Sequence, residues 1–303
     1  MSDLVVIGAG PAGITASVYA ARKKMDFLVI SKDVGGQTAW SSDIQNYTGY
    51  QFITGVELTQ KFREHMEQFD VKLNEGETVN LVERRDDSIR IETDRGAYDA
   101  RAVVVASGRI PRKLNVEGED RFRSRGVTYC ATCDGPLFAD KPVAVIGGGN
   151  SALDATLQLV KIASRIHLFQ QGAELSADPV MVEKARASDK VTIHTGAEIL
   201  KIQGDDFVRG LEVKIGDEVE PFNVEGIFIE IGSVPASDFV RGVKKNPAGE
   251  IMVNCQCQTD VPGIFAAGDV TSVYAKQIIV ASGEGAKASL AAFEYLTRLP
   301  LIP

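Results

Sequence analysis

The chain has 303 residues, with 33 Lys+Arg against 41 Asp+Glu and a net charge of −8, so nucleic-acid binding is not expected. Its 44% hydrophobic and 24% charged residues are those of a globular protein, long enough for two domains. No apolar run reaches the ~18 residues a membrane helix needs. There is no room for a signal peptide before the first strand, and four cysteines are too few for a stapled secreted scaffold, so a cytoplasmic protein is expected.

In chain order, the pattern predicts a strand at 4–7, a helix at about 11–23, a strand at 27–30 and a helix at about 55–69. Short β-type runs split by acidic turns fill 71–105. A second series follows, with a strand at 143–146, a helix at about 151–162, a strand at 166–169 and further β-type runs over 191–231. LVVIGAGPAG (4–13) recurs as VAVIGGGNSA (143–152), and VVVASGRIP (103–111) recurs as IFIEIGSVP (227–235). GIFAAGDV (263–270) has no counterpart, and an apolar helix follows from about 277 to 296. The fold class is therefore α/β, with two Rossmann-like dinucleotide-binding domains, the second inserted into the first. The expected boundaries are 1–112 with 240–303 for the first domain and 113–239 for the second.

Gly8-Ala9-Gly10-Pro11-Ala12-Gly13 follows a strand and opens a helix. In that context Gly8 permits a tight turn, Gly10 lets backbone approach a pyrophosphate, and Gly13 lets helix and sheet pack closely. About 20 residues on, an acid would normally hold the ribose; here Ser31 stands in that place and offers a hydroxyl instead. Asp269, after its strand, suits a polar chain such as the ribityl of FAD, and a helix-cap role is an alternative that does not exclude it. Gly35-Gly36-Gln37 and Ile44-Gln45-Asn46-Tyr47 give the mix of apolar cover and fixed polar groups a flavin ring wants, and Gly108 and Ile278 are further candidates for cofactor binding. Gln37 and Asn46 read equally well as ordinary loop polars.

Gly147-Gly148-Gly149-Asn150-Ser151-Ala152 repeats the context, so a second dinucleotide is expected. Gln170 occupies the ribose position, and from Ile166 to Glu183 there is no Arg or Lys to meet a 2′-phosphate. NADH is favoured over NADPH, with a vestigial nucleotide fold as the alternative.

YCATCDGPLF (129–138) carries a CxxC with an acid behind it. The spacing lowers one thiol's pKa, and Asp134 could shuttle a proton as Cys130 and Cys133 open and close. A zinc site completed by Cys255, Cys257 or a histidine, and an inert thiol pair, remain alternatives. Cys255 and Cys257 are expected as ordinary strand residues one step apart on one face. His65, His167 and His194 match no triad or metal spacing and are expected as surface or satisfied residues.

GxGPAG, GGQ, QNY, CATCDG, GGGNSA and FAAGDV, in this order, resemble the low-molecular-weight thioredoxin reductases. Residues 129–303 are more similar still to the flavoprotein subunit of alkyl hydroperoxide reductase, an NADH user. The resemblance implies a flavoprotein holding FAD on Gly8, Gly10, Ala12, Gly36, Gln37, Asn46, Asp269 and Gln277. It implies a Cys130–Cys133 disulfide with Cys133 nearer the flavin, Cys130 attacking the partner and Asp134 as acid/base. It also implies a homodimer whose domains rotate, and a thioredoxin- or glutaredoxin-like protein as the electron acceptor. Because the chain starts at the flavin domain, that acceptor is expected to be a separate protein. The HRRxxxR run that takes NADPH in these reductases is replaced here by Phe169–Leu175, which also leaves room for a donor such as ferredoxin. An NADH oxidase serving a peroxidase partner and a flavin-bearing redox sensor are the remaining readings.

Overall fold

The computed structural model describes residues 1–40, 44, 46–123, 125–129 and 131–299, without the side chains of Trp40, Thr132 and Cys133. The chain forms two compact units, Met1–Ile110 with Val234–Pro303, and Pro111–Ser233. The division was expected after 112 and after 239. The stretch just before 240 belongs to the first unit because the Val82 N–H donates to the Phe239 carbonyl at 2.8 Å, and Val240 is buried in that unit's core.

The first unit opens with β1 (Ser2–Ala9), α1 (Pro11–Arg22), β2 (Phe27–Val34), a 3-10 turn (Gly36–Trp40) and α2 (Gly55–Glu67). β3 (Leu73–Glu75), β4 (Val79–Arg84), β5 (Ile89–Thr93) and β6 (Ala97–Val105) follow. β1 lies between β2 and β6, parallel to both. Near the chain's end, β17 (Ile264–Ala266) joins β6 in parallel, and α6 (Ile278–Arg298) closes the unit. Alternation along β1 feeds two cores, as a parallel sheet covered on both faces requires. Leu4 and Val6 pack with α1 and α6 residues such as Ile14, Ala288 and Ala292, whereas Val5 and Ile7 pack with Ile89, Ile91 and Val240.

Two short strands, β7 (Arg109–Pro111) and β16 (Ser233–Pro235), span the points where the chain passes between units. The second unit contains β8 (Val127–Thr128), α3 (Ala131–Asp134), β9 (Pro142–Ile146), α4 (Asn150–Leu159), β10 (Arg165–Gln170) and α5 (Pro179–Arg186). β11 (Val191–Thr195), β12 (Ala197–Gly204), β13 (Val208–Ile215), β14 (Glu218–Asn223) and β15 (Gly226–Ile229) complete it. The five-stranded parallel sheet runs β11-β10-β9-β15-β8, and β12-β13-β14 form a separate antiparallel sheet. The logic of the first unit repeats: Val143 and Val145 face α4, while Ala144 and Ile146 face β12 and β13.

Cys255 and Cys257 are not on a strand. The chain turns at 254–258, where the Asn254 side-chain oxygen accepts from the Gln256 and Gln258 N–H groups at 3.0 Å each. Asn254 does this because its short amide mimics a backbone acceptor. Cys257 takes a left-handed backbone (φ 63°) and is buried, whereas Cys255 is exposed.

Candidate functional site

The first glycine loop connects β1 to α1. Close packing needs a glycine at Gly13, because a Cβ there would lie 1.8 Å from the Gly8 carbonyl oxygen. Gly10 caps α1 without any side-chain hydrogen bond, and Pro11 follows at the first helical position. The N–H groups of the first turn, including those of Ala12 and Gly13, therefore have no side-chain cap competing for them and suit an anion. Gly36 stands against Gly10, its missing Cβ 3.5 Å from the Gly10 Cα, so two bare backbones flank the same space. Ser31 is buried and ties the loop together: its Oγ accepts from the Ala9 N–H at 2.9 Å and donates to the Asp33 carbonyl at 2.6 Å. Its single proton is thus used within the chain, leaving only acceptor capacity for a sugar.

Residues far apart in sequence meet in this unit. Asn46 donates its Nδ2 to Gln277 Oε1 at 3.0 Å, across 231 positions. Gln277 is the N-cap of α6, and Ile278 beside it packs, as Tyr47 does, against the cluster of Ile44, Ile53 and Leu58. Gln37 donates to the Arg109 carbonyl at 2.9 Å, and the Gly108 carbonyl accepts from Ala236 N–H. Gln45 lies outside the described residues. Asp269 sits half-buried in a 3-10 turn, Gly268–Val270, rather than capping α6. Burial pushes its carboxyl up, while Lys276 and Arg109 oppose that. Glu250 bridges the same two cations at 3.1 Å each, leaving a compact charged network beside Asp269.

An uncapped helix N-terminus for a pyrophosphate, room between Gly10 and Gly36, and a half-buried carboxylate for a polyol fit an FAD.

In the second unit Gly149 caps α4, again with no side-chain hydrogen bond. Gly147 and Gly149 flank Gly148, whose carbonyl accepts the N–H groups of Ser176 and Ala177 at 2.8 and 3.0 Å. A Cβ on Gly148 would lie 2.5 Å from the Gln170 side chain, so Gln170 lies directly over the loop. Its Nε2 donates to the Glu174 carbonyl at 3.2 Å. Asn150 and Asp178 pair through two hydrogen bonds of 2.8 and 3.2 Å, and Ser151 is exposed in the first turn.

Cys130 lies outside the described residues, and Cys133 is placed only as backbone within α3. The residues around them are firmly tethered. Tyr129 donates its hydroxyl at 2.6 Å to Glu119, which is 2% exposed and also takes the N–H groups of Leu114 and Asn115. Burial and then Glu119 push the Tyr129 hydroxyl well above its ordinary value. The Ala131 N–H donates to Glu230, whose carboxyl is pushed up to about 8 by burial and then by Asp154. Asp134 receives a short hydrogen bond from the Thr128 hydroxyl. Sequence reading missed Glu119 and Glu230. The only available signal was an acid in an otherwise apolar strand context, as in IFIEIG.

His167 and His194 also do more than the sequence suggested. His167 Nδ1 lies 3.1 Å from His194 Nε2, and the two rings stack with Phe169 against the edge of Phe222. Among the described residues, no three metal-ligating side chains come together.

The sequence matches the family described as "Pyridine nucleotide-disulphide oxidoreductase" over residues 2–285. The F subunit of alkyl hydroperoxide reductase from Staphylococcus epidermidis is 40% identical over 300 residues, covering 98% of this chain and 59% of that protein. The chain thus spans under two thirds of the length of that relative. Thioredoxin reductase of Lactococcus lactis, in its FR conformation, superposes with a TM-score of 0.88 at 34% identity, over 99% of this chain and 100% of the other. The T. acidophilum thioredoxin reductase gives 0.85 at 34% identity, over 97% and 98%. With the duplicated nucleotide fold and its two uncapped glycine loops, these matches lead to one conclusion: the chain belongs to the pyridine nucleotide-disulphide oxidoreductase family and is similar throughout its length to the thioredoxin reductases.

Proposed function

We propose that this flavoprotein takes electrons from NADH in preference to NADPH and passes them through a Cys130–Cys133 disulfide to a thioredoxin- or glutaredoxin-like protein. One observation carries the donor preference. Around the ribose position the charged side chains between Ile166 and Glu183 are Glu174, Asp178 and Glu183, all acidic. His167, the one other titratable group there, is pushed down to about 4 and stays neutral. A 2′-phosphate would meet negative potential with no cation in that stretch to pair with, whereas a free hydroxyl would meet the amide of Gln170.

In the first unit, Gly10, Ala12, Gly13 and Gly36 would line the pyrophosphate, Asp269 the polyol, and Asn46, Gln37, Gln277 and Ile278 the ring. FAD supplies the two-electron relay between nicotinamide and disulfide. In the second unit, Gly147, Gly149, Asn150, Ser151 and Gln170 would hold the nicotinamide dinucleotide. Once the dithiol is reduced, Cys130 thiolate attacks the partner's disulfide, forming a mixed disulfide and releasing one partner thiolate. Asp134, one oxygen occupied by Thr128, has the other to take the proton that the Cys130 thiol loses in becoming a thiolate and to pass it on to the released partner thiolate. Cys133 then attacks the Cys130 sulfur, which frees the reduced partner and restores the internal disulfide.

Anaerobic titration tests the donor: NADH should bleach the flavin's visible band at lower concentration than NADPH. Preference for NADPH, or no bleaching by either, would overturn that assignment. Partner reduction that persists in Cys130→Ser would overturn the thiol sequence. A homodimer is expected by sedimentation, and a monomer would remove that part of the reading.

A further inference from the structure

Helix α6 is apolar along its inner face, yet Glu284 lies in that face and is 4% exposed. A carboxylate there is costly unless it is held. Its Oε2 accepts the Gly268 N–H at 2.8 Å. Gly268 has φ +76° and opens the turn that carries Asp269, so the bond fixes where that turn begins. The next residue, Gly285, meets the other side of the same cradle: a Cβ there would lie 2.0 Å from the Ala12 carbonyl oxygen. The pair Glu284-Gly285 therefore touches both the Asp269 turn and the first turn of α1. The charged groups around Glu284 are Asp269, Lys276 and Lys287, and the Cys257 thiol is pushed up by its burial and then by Glu284. None of the flavin contacts or thiol steps above uses Glu284.

We propose that Glu284 is a positioning residue for the flavin site, holding the Gly268 backbone so that the Asp269 carboxylate is presented to the cofactor. The inference rests on the FAD reading of this unit. An apolar residue would satisfy the helix packing but leave the Gly268 N–H unpaired and the turn free to rotate. Glutamine keeps an acceptor oxygen at the same place.

The test uses purified full-length chain stripped of flavin and titrated with FAD, read by quenching of flavin fluorescence. Glu284→Met, equal in length and free of oxygen, should weaken FAD binding about tenfold or more, and Glu284→Gln should restore it to within about threefold of wild type. Adding Glu284→Met to Asp269→Ala should cost little beyond Asp269→Ala alone, since residues acting through one another are not additive. Wild-type affinity in Glu284→Met, or full additivity with Asp269→Ala, overturns the proposal. If Glu284→Met does not fold, Glu284→Gln decides: a loss as large as that of Asp269→Ala overturns it. A wild-type chain that takes up no FAD overturns the FAD reading and this inference together, whereas normal wild-type uptake with an unaffected Glu284→Met overturns the inference alone.

Discussion

Acid should loosen the second unit through His167. The ring sits on β10 beside His194 of β11 and against Phe222 of β14, so it joins the parallel sheet to the antiparallel one. Burial, with His194 and Arg165 adding repulsion, pushes it from 6.5 down to about 4, and burial lowers His194 as well. A histidine depressed on folding is neutral in the native state while the unfolded chain still takes the proton. Its stability contribution is therefore complete above about pH 6.5 and is lost as pH falls from there toward 4. At pH 5.5 the linkage gives about 1.4 kcal/mol, and discounting for the ring's exposed edge leaves about 0.7 kcal/mol. Phe in place of His167 keeps the stack but cannot charge. Amide exchange of Leu168 and Phe169 at pH 7.5 and 5.5, corrected for intrinsic rates, should show the wild type losing about threefold more protection than His167→Phe. Equal loss in both proteins, or a His167 NMR titration midpoint near 6.5, would refute the reasoning.

Gly285→Ala places a methyl against the Ala12 carbonyl oxygen, so it should cost about 1–3 kcal/mol in urea unfolding of the first unit and weaken FAD retention. Unchanged stability would mean that α6 can move off α1 at little cost. Thr54→Ala removes the capping box of α2, whose hydroxyl accepts from Glu57 N–H at 3.2 Å, and should lower amide protection there about fivefold. In a chain lacking Cys130 and Cys133, a thiol reagent at pH 8 should label exposed Cys255 rapidly. Cys257, buried and pushed up to about 11, should react only on unfolding. Two fast thiols would contradict that placement.

Much of the candidate site is local, and the local parts are legible in the chain. A glycine loop between a strand and a helix needs about ten residues, and the backbone conformations it demands are written in those residues. Thus β1, α1 and the Gly8–Gly13 turn, and their repeats at β9, α4 and Gly147–Gly149, follow from pattern alone. Cys255 and Cys257 illustrate the limit. Alternating apolar residues suggest a strand, but Asn254 bonds its own backbone two and four residues on and makes a turn instead.

Residue order is enough for the α/β class, the repeated strand–glycine–helix units and the lack of Lys or Arg between Ile166 and Glu183, because each is read along the chain. Packing was needed to show that Asn46 meets Gln277, that Ser31 spends its proton on Asp33, and that Glu119 and Glu230 anchor the residues flanking the CxxC. It was needed too for the reach of Glu284 to Gly268. Asn46 and Gln277 stand 231 positions apart, while the partly buried Glu230 and the buried Glu284 each meet a backbone N–H on another element. No local pattern encodes such a meeting, since it exists only once the sheets and their helices have packed.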